Sequence, residues 1–302
     1  MASSATMPQS FGNTLRSYWE MTRPRVLLLV LITGIPALYI GQNQSPTWQL
    51  AAWILLGTAL SGASCSVLNA YLERDIDARM ARTQNRPLPT AAVSPTPALL
   101  LGIALAIGST WMLYHFGGPV AAWVGGLSIL FYVFVYTLGL KRRTPQNIVI
   151  GGAAGATAPL IADAAVDGTL GSAGWIFFLI IFLWTPPHFW AIAIFRREEY
   201  ANAELPMMNL VIGDEATRRQ SLVYTLLMLP VTLAPLYFGH LGWAYGGVAI
   251  ASGLWFAWWN LKAIRANDRQ VDWKMFKASV TYLGLLFAAM IGDFLLGSPG
   301  IA

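Results

Sequence analysis

The sequence is poor in charge and in cysteine, and each shortage excludes a class of protein. Only 11% of the 302 residues are charged, whereas a soluble domain carries about a quarter. Since 56% are hydrophobic and the mean hydropathy is +0.54, the composition excludes a water-soluble globule. The single cysteine, Cys65, excludes an internal disulfide framework and a metal cluster of several thiolates. The polar stretch 1–24 lacks the apolar core of a cleaved signal peptide and predicts a cytoplasmic or interfacial tail.

Long apolar runs make up most of the remaining sequence. A membrane-spanning helix needs about 20 mostly apolar residues. Backbone groups in lipid must bond within their own segment, and no segment alternates apolar and polar residues as barrel strands do. The sequence therefore predicts an all-α integral membrane protein, with residues 1–302 forming one domain. Its nine predicted transmembrane helices are 25–43, 49–72, 96–115, 118–139, 146–166, 173–195, 220–239, 241–262 and 277–297.

The basic residues predict the orientation of these helices. If nine helices alternate in direction, all 19 Lys and Arg residues fall on one side of the membrane and the opposite loops contain none. The positive-inside rule makes that side the cytoplasm of a bacterium, or the matrix of an organelle. We expect the bacterial inner membrane, because no Arg- and Ser-rich presequence precedes the first helix. The N-terminus is then cytoplasmic and the C-terminus opposite, so the pI near 9.4 reflects topology and not nucleic-acid binding.

One short stretch, LNAYLERDIDARMARTQNRPLPT (68–90), concentrates polar groups directly after an apolar run. Asn69, Glu73 and Asp77 are four residues apart, so on a helix they span an arc of about 80° and form one polar stripe. We expect Asp75 to point elsewhere and to pair with a neighbouring arginine or face water. Oxygen ligands without His or Cys suit Mg²⁺, which proteins usually share with substrate phosphates. The stripe therefore predicts a magnesium site at the cytoplasmic end of the second span.

Two arginines, Arg82 and Arg86, follow the stripe, before Pro87 and Pro89 end the helix. Guanidinium groups recognise phosphate well. Carboxylates and arginines beside an apolar bundle therefore indicate a diphosphate whose hydrocarbon tail lies in the membrane. An ordinary charged cytoplasmic loop is the alternative. Composition alone favours that loop, whereas the helical spacing of the stripe favours a binding site.

The stretch resembles the Asn-x-x-x-Asp-x-x-x-Asp motif of the intramembrane prenyltransferases, the superfamily of 4-hydroxybenzoate polyprenyltransferase. Glu73 stands where that motif usually has Asp, and it offers Mg²⁺ the same ligand atoms on a longer side chain. The resemblance covers essentially the whole chain. It implies nine helices around a central cavity, with Asn69, Glu73 and Asp77 as catalytic metal ligands.

Two further stretches, YTLGLKRRTPQNIVIGGAAGA (136–156) and WTPPHFWAIAIFRREEY (184–200), look like signatures of the protohaem IX farnesyltransferase family. This resemblance implies that Lys141 binds the diphosphate and that Lys141 and Tyr136 are catalytic. It adds Arg142 to the predicted diphosphate ligands, although a basic residue here also serves as a topology anchor.

The second of these stretches contains His188, which lies inside a predicted span. An ionisable residue within a membrane is a functional candidate, although a satisfied core histidine is the alternative. With the haem-specific signature around it, His188 is predicted to contact haem as iron ligand or propionate partner. The superfamily carries a second acidic motif after the sixth span, and here FRREEY supplies only Glu198 and Glu199. Glu199 is the predicted second metal ligand, and Arg197 is predicted to bind diphosphate or a propionate.

Aromatic and small residues give weaker predictions. Tyr132 and Tyr136 lie four residues apart on the fourth span, where their ring faces would attract an allylic cation by about 0.5–2 kcal/mol each. Membrane aromatics also serve for packing. The run GGAAGATAPL (151–160) predicts close approach, either of another helix or of a flat ligand.

The resemblance implies farnesyl transfer from farnesyl diphosphate to a vinyl group of haem B, with addition of water to give haem O. The expected cofactor is Mg²⁺, and the expected partners are the two substrates, the lipid bilayer and a haem-modifying enzyme or oxidase assembly protein. The active-site mouth is expected on the cytoplasmic side. Three alternatives stay open: a prenyltransferase for another acceptor such as a quinone precursor, a haem or lipid transporter, and a haem chaperone without catalysis.

Overall fold

The computed structural model describes residues 11–42 and 45–297, and in these residues the chain is helical, with no strand. Residues 1–10 of the predicted tail lie outside the described residues. Thirteen α-helices and one π-helical segment follow in chain order: α1 Phe11–Met21, α2 Pro24–Tyr39, α3 Trp48–Leu72, α4 Arg74–Arg79, α5 Pro95–Leu130, the π-helical segment Phe131–Leu140, α6 Asn147–Gly155, α7 Ala158–Asp167, α8 Ser172–Phe195, α9 Arg197–Asn202, α10 Met208–Val211, α11 Asp214–Tyr237, α12 Trp243–Ala266 and α13 Arg269–Leu296. The prediction of an all-α protein is confirmed.

Within the described ranges, six helical segments are long and apolar enough to cross a membrane. A seventh is added if α1 and α2, which meet at 45°, count as one bent span. Large apolar side chains cover the outside of these helices, among them Trp48, Trp123, Tyr237 and Leu295, each more than 65% exposed. Such a surface needs lipid rather than water. The chain is therefore a multi-pass membrane protein.

The longest apolar segment, Pro95–Leu140, folds back on itself at Gly118. Its 46 residues would reach about 69 Å as one straight helix, roughly twice the hydrocarbon core of a bilayer. Gly118 has φ 79° and ψ 178°, a backbone conformation open to glycine, and Pro119 follows it. Beyond this break Gly126 packs against Thr110, because a methyl group added at Gly126 would lie 3.7 Å from the Thr110 methyl. The two halves of α5 are thus antiparallel neighbours.

The predicted span 146–166 corresponds to Asn147–Asp167, which is apolar and long enough to cross a membrane and consists of α6 followed by α7. Pro159 lies in the first turn of α7, where its missing N–H is tolerated. By contrast α8 continues through Pro186 and Pro187 without interruption. The core lies where α8, α11, α12 and α13 meet, and it is filled by buried aromatic rings such as Phe177, Phe256 and Phe287.

Two buried aspartates hold helix starts at the end of the bundle away from the basic loops. Asp163 accepts a hydrogen bond from the backbone N–H of Gly171 at 2.5 Å, just before α8. Asp293 accepts from the N–H groups of Gly242 and Tyr245 at the start of α12. Helix N-termini leave such donors unpaired and favour negative charge, so these two carboxylates have a structural purpose.

Candidate active site

The three residues of the predicted polar stripe lie together and are buried. Asn69 is on α3, Asp77 is on α4, and Glu73 lies at the junction, where φ −107° and ψ 14° interrupt the helix. The spacing is kept because the Glu73 N–H donates to the Asn69 carbonyl and the Asp77 N–H to the Glu73 carbonyl, at 2.9 and 2.8 Å. All three are at most 4% exposed. The stripe therefore faces the protein interior and not the solvent of an ordinary loop.

Each carboxylate of the stripe is held by a cation. Lys141 Nζ donates to Glu73 Oε2 at 2.5 Å, and a guanidinium nitrogen of Arg86 donates to both oxygens of Asp77 at 2.8 and 2.9 Å. Asn69 donates to the Thr137 hydroxyl at 3.4 Å. The structure thus brings together Glu73 and Lys141, which are 68 residues apart in the sequence.

Arg23 is a candidate site residue that sequence reasoning used only for topology. It precedes α2 in a left-handed conformation, φ 54° and ψ 59°, which costs a non-glycine residue about 1–2 kcal/mol. Its guanidinium donates to Asn69 Oδ1 at 3.1 Å. Strained backbone of this kind persists where the surrounding contacts hold it. A positive φ cannot be predicted from the sequence. The only sequence feature that could have drawn attention to Arg23 is the proline that follows it before the first span.

Arg23, Arg82 and Arg86 line one open cleft, together with the carboxylates Asp77 and Glu20. Burial and the charges of Arg23 and Arg82 lower the pKa of Arg86, against the opposing effect of Asp77. Positive charge is therefore in excess in this cleft, which suits an anion with several oxygen atoms.

The two predicted tyrosines lie beside Lys141 on the π-helical segment Phe131–Leu140. The centroids of the Tyr132 and Tyr136 rings are 5.2 Å apart, and the Lys141 ammonium lies 5.6 Å from the centroid of Tyr136. The Lys141 N–H bonds the Tyr136 carbonyl five residues back, as a π-helix requires. π-Helical turns occur frequently at functional sites.

Other predicted residues make contacts outside this cluster. Arg142 is half exposed and binds both oxygens of Asp75, at 2.8 and 2.9 Å. Burial alone would raise the pKa of Asp75, but the hydrogen bonds and charge of Arg142 outweigh it and lower that pKa. Asp75 points away from the stripe, as expected, but its arginine partner is 67 residues away in the sequence and not a neighbour there. Arg142 stays a predicted diphosphate ligand that the structure does not bring to the cleft.

The charged residues of the second predicted motif, FRREEY, form ion pairs with residues of the same stretch and of other helices. Glu199 pairs with Arg196 at 3.0 Å, while its Oε2 is buried without a hydrogen-bond partner among the described residues. Arg197 pairs with Asp214 at 2.7 Å. Glu198 pairs with Arg269. Metal binding by Glu199 and diphosphate binding by Arg197 stay predictions.

His188 lies on α8 and packs against α13. Its ring is stacked between Trp184 and Phe276, at centroid distances of 4.1 and 4.7 Å, and Nδ1 is 2.7 Å from the Ser279 hydroxyl. No acidic or basic residue is among its hydrogen-bond partners in the described chain. The ring therefore belongs to a different environment from the charged cleft.

The residues of the stripe fit a magnesium ion by donor type. Among the described residues no three His, Cys, Asp or Glu side chains are already grouped as a metal site. However, Glu73 Oε1 is buried and has no hydrogen-bond partner within the same part of the chain, so one anionic oxygen is left for a ligand. Oxygen donors from Asn69, Glu73 and Asp77 are those that Mg²⁺ prefers.

Comparison with known sequences decides the family. The sequence profile of the UbiA prenyltransferase family matches residues 30–290. The chain belongs to the UbiA prenyltransferase family. Its resemblance to the intramembrane prenyltransferases is thereby confirmed, and so is its prediction as a prenyltransferase.

Several curated relatives of this UbiA family member carry the name protoheme IX farnesyltransferase. The chain is 45% identical over 277 residues to the "Protoheme IX farnesyltransferase" of Gloeobacter violaceus, covering 91% of each chain. It is 43% identical to that of Thermosynechococcus vestitus, covering 93% of this chain and 90% of the relative. It is also 43% identical to that of a Roseiflexus species, of which it spans only about half, 52%.

Solved structures agree with the family fold. A digeranylgeranylglyceryl phosphate synthase superposes with a TM-score of 0.79 at 17% identity, covering 93% of this chain and 98% of the other. A UbiA homologue from Archaeoglobus fulgidus, bound to DMAPP and Mg²⁺, superposes with a TM-score of 0.67 at 17% identity, covering 91% and 99%. At such identities the likeness establishes the fold alone.

The small-residue run of this UbiA protein serves close packing at two positions. Gly151 lies against the Tyr136 ring, and Gly152 lies against Thr185. A methyl group at Gly151 would overlap the ring, whereas one at Gly155, on the same helix, would meet nothing within 4 Å. The absence of a side chain at Gly151 thus leaves room for the Tyr136 ring beside Lys141.

We predict that Gly151→Ala slows prenyl transfer about tenfold, because the added methyl group must displace the Tyr136 ring and a loss of about 1.4 kcal/mol in transition-state stabilisation is a tenfold change in rate. The rate of product formation by the purified variant measures this. Gly155→Ala is the matched control and should keep the wild-type rate. Equal rates for both variants would show that the position of the Tyr136 ring is unimportant for the reaction.

Proposed function

We propose that this chain transfers the farnesyl group of farnesyl diphosphate to a vinyl group of haem B and releases diphosphate and haem O. The observation that carries the proposal is the 45% identity, over 91% of both chains, to a relative named protoheme IX farnesyltransferase. The buried stripe of Asn69, Glu73 and Asp77, with its attached cations, supplies the chemistry that such a transfer needs.

The charged cleft binds the diphosphate in this proposal. Arg23, Arg82 and Arg86 would pair with its oxygens. Lys141, which pairs with Glu73 in the structure, would bind the diphosphate as well. Asn69, Glu73 and Asp77 would hold Mg²⁺, which neutralises the charge that grows on the leaving diphosphate. In the same proposal Arg142 and Arg197 bind the diphosphate and Glu199 binds a metal ion, although each of them pairs with another side chain in the structure.

The carbon chemistry takes place beside Tyr132 and Tyr136. When the bond between farnesyl C1 and the diphosphate oxygen breaks, its electron pair leaves with diphosphate and C1 becomes an allylic cation. The tyrosine rings present negative faces to that cation, and the apolar surroundings limit its early capture by water. The terminal carbon of the haem vinyl group bonds to C1. Water then adds to the resulting cation beside the porphyrin and loses a proton, which gives the hydroxyethylfarnesyl group.

Topology and location follow the basic residues. We infer one membrane domain of nine spans, with a cytoplasmic N-terminus and active-site mouth, in a bacterial inner membrane. The reversal at Gly118 supports two spans within Pro95–Leu140, and α12, at 24 residues, is long enough to be another. A haem-modifying enzyme or an oxidase assembly protein is the proposed recipient of the product.

The test is a product assay on the detergent-purified protein with haem B, farnesyl diphosphate and Mg²⁺. We expect mass spectrometry to show a haem that has gained farnesyl and hydroxyl, and we expect EDTA to abolish this product and added Mg²⁺ to restore it. Prenylation of a quinone precursor with haem unchanged would overturn the choice of acceptor. A folded protein that turns over no prenyl diphosphate would favour transport.

A further inference from the structure

We propose that Ser279 on α13 is a positioning residue that holds His188 in the tautomer able to bind the haem iron through Nε2. This inference rests on the proposed function, since it concerns how that site holds the haem substrate. Ser279 is fully buried, lies 91 residues from His188 in the sequence, and is linked to α8 twice. Its hydroxyl is 2.7 Å from His188 Nδ1, and its carbonyl accepts from Trp184 Nε1 at 2.8 Å.

The proton of the Ser279 hydroxyl decides the tautomer. The hydroxyl oxygen is 2.6 Å from the backbone carbonyl oxygen of Phe276, one turn earlier on α13. Two oxygens at this distance need a proton between them, and a serine has only one to donate. The hydroxyl therefore donates to Phe276 and must accept at His188. Nδ1 of His188 then carries the ring proton, and in the neutral imidazole the lone pair is on Nε2.

The residues around the His188 ring cover its faces and leave the edge that carries Nε2 accessible to a ligand. Trp184 and Phe276 cover its two faces, and Phe189 packs perpendicular to it at 5.4 Å. The ring is nevertheless partly exposed, and Nε2 makes no hydrogen bond to any described residue. A ligand approaching in the ring plane would find one lone pair, with aromatic surface on either side. This is the arrangement that a metal-binding histidine has when its other nitrogen is anchored.

The experiment is a titration of the purified full-length protein with ferric haem B, followed by absorption and electron paramagnetic resonance. We expect Ser279→Ala to weaken haem binding roughly 10- to 100-fold, the usual cost of losing a partner that orients a metal-binding histidine. We also expect the axial-ligand signals of the iron to change as they do in His188→Ala. Ser279→Thr keeps a hydroxyl and should restore wild-type affinity and spectrum, whereas Ser279→Val, of nearly the same shape, should not.

Two controls separate positioning from a loss of structure. Ser252→Ala removes another hydroxyl from a buried serine, one that donates to the Val248 carbonyl of its own helix, and should bind haem normally. The Thr and Val pair compares the hydroxyl at constant volume, so the conclusion holds even if Ser279→Ala fails to fold.

The outcomes distinguish this inference from the proposed function. If wild-type protein makes haem O but Ser279→Val and Ser279→Thr bind haem alike, the positioning by Ser279 is wrong and the function stands. If His188→Ala leaves affinity and spectrum unchanged, iron binding at His188 is wrong as well. If the wild-type protein neither binds nor modifies haem, the proposed function and this inference fall together.

Discussion

Glu73→Gln should lower the rate of farnesyl transfer about 10²–10³-fold, the usual cost of removing one group that stabilises charge in a transition state. Glu73 is 3% exposed, and one of its oxygens already binds Lys141 at 2.5 Å. The other oxygen is buried without a partner among the described residues. Glutamine keeps the shape of the side chain but replaces an anionic oxygen with a neutral amide oxygen, which binds Mg²⁺ more weakly and neutralises no charge.

The measurement is the rate of haem O formation as a function of Mg²⁺ concentration. If Glu73 binds the metal, the variant should need more Mg²⁺ for its half-maximal rate as well as turning over slowly. Asp75→Asn is the matched control from the same stretch, because Asp75 is half exposed and its carboxylate pairs with Arg142, away from the stripe. We expect it to keep nearly the wild-type rate. Equal losses in both variants would point to general disturbance of the loop.

Asp77→Asn extends this test to the second carboxylate. It leaves Arg86 in the cleft with a neutral partner, so diphosphate binding should persist while turnover falls. A farnesyl diphosphate binding assay by calorimetry separates these two effects. Unchanged turnover in both Glu73→Gln and Asp77→Asn would remove the stripe from the mechanism.

Local spacing predicted the parts of this site that are close in the sequence. Asn69, Glu73 and Asp77 come together because hydrogen bonds of helical spacing continue across the break at Glu73. Asp75, two residues from Asp77, lies on the opposite face of the helix by the same geometry, and there it pairs with Arg142. Helical periodicity determines which of these side chains share a face, whatever the tertiary fold does.

Long-range partners could not be predicted in this way. Arg23 reaches Asn69 across 46 residues through a left-handed backbone, and Ser279 reaches His188 across 91. Nothing in FYVFVYTLGL distinguishes a π-helix from an α-helix, since the two differ in hydrogen-bond register and not in hydrophobic pattern. The predicted span 146–166 agrees with Asn147–Asp167, but hydropathy did not show the break between α6 and α7 within it.

Asp272→Asn should destabilise the protein by roughly 3–5 kcal/mol, because it leaves a buried arginine without its counter-charge. Asp272 on α13 and Arg218 on α11 are at most 2% exposed and form two hydrogen bonds, at 2.6 and 2.9 Å. Arg218 also binds the Asn267 side chain before α13. This ion pair therefore joins α11 to α13 close to the basic loops, and its loss should appear as a lower thermal unfolding temperature in detergent.

The neighbouring Arg219 provides the control. It pairs with Glu215 one turn away, and both side chains are more than 60% exposed, so Arg219→Met should change stability by less than about 0.5 kcal/mol. The double variant Arg218→Met with Asp272→Leu should recover most of the stability lost in Asp272→Asn, since two apolar groups of similar size avoid the cost of burying charge. If the double variant is as unstable as Asp272→Asn, the pair contributes through specific hydrogen bonds, including the one to Asn267, and not through charge compensation.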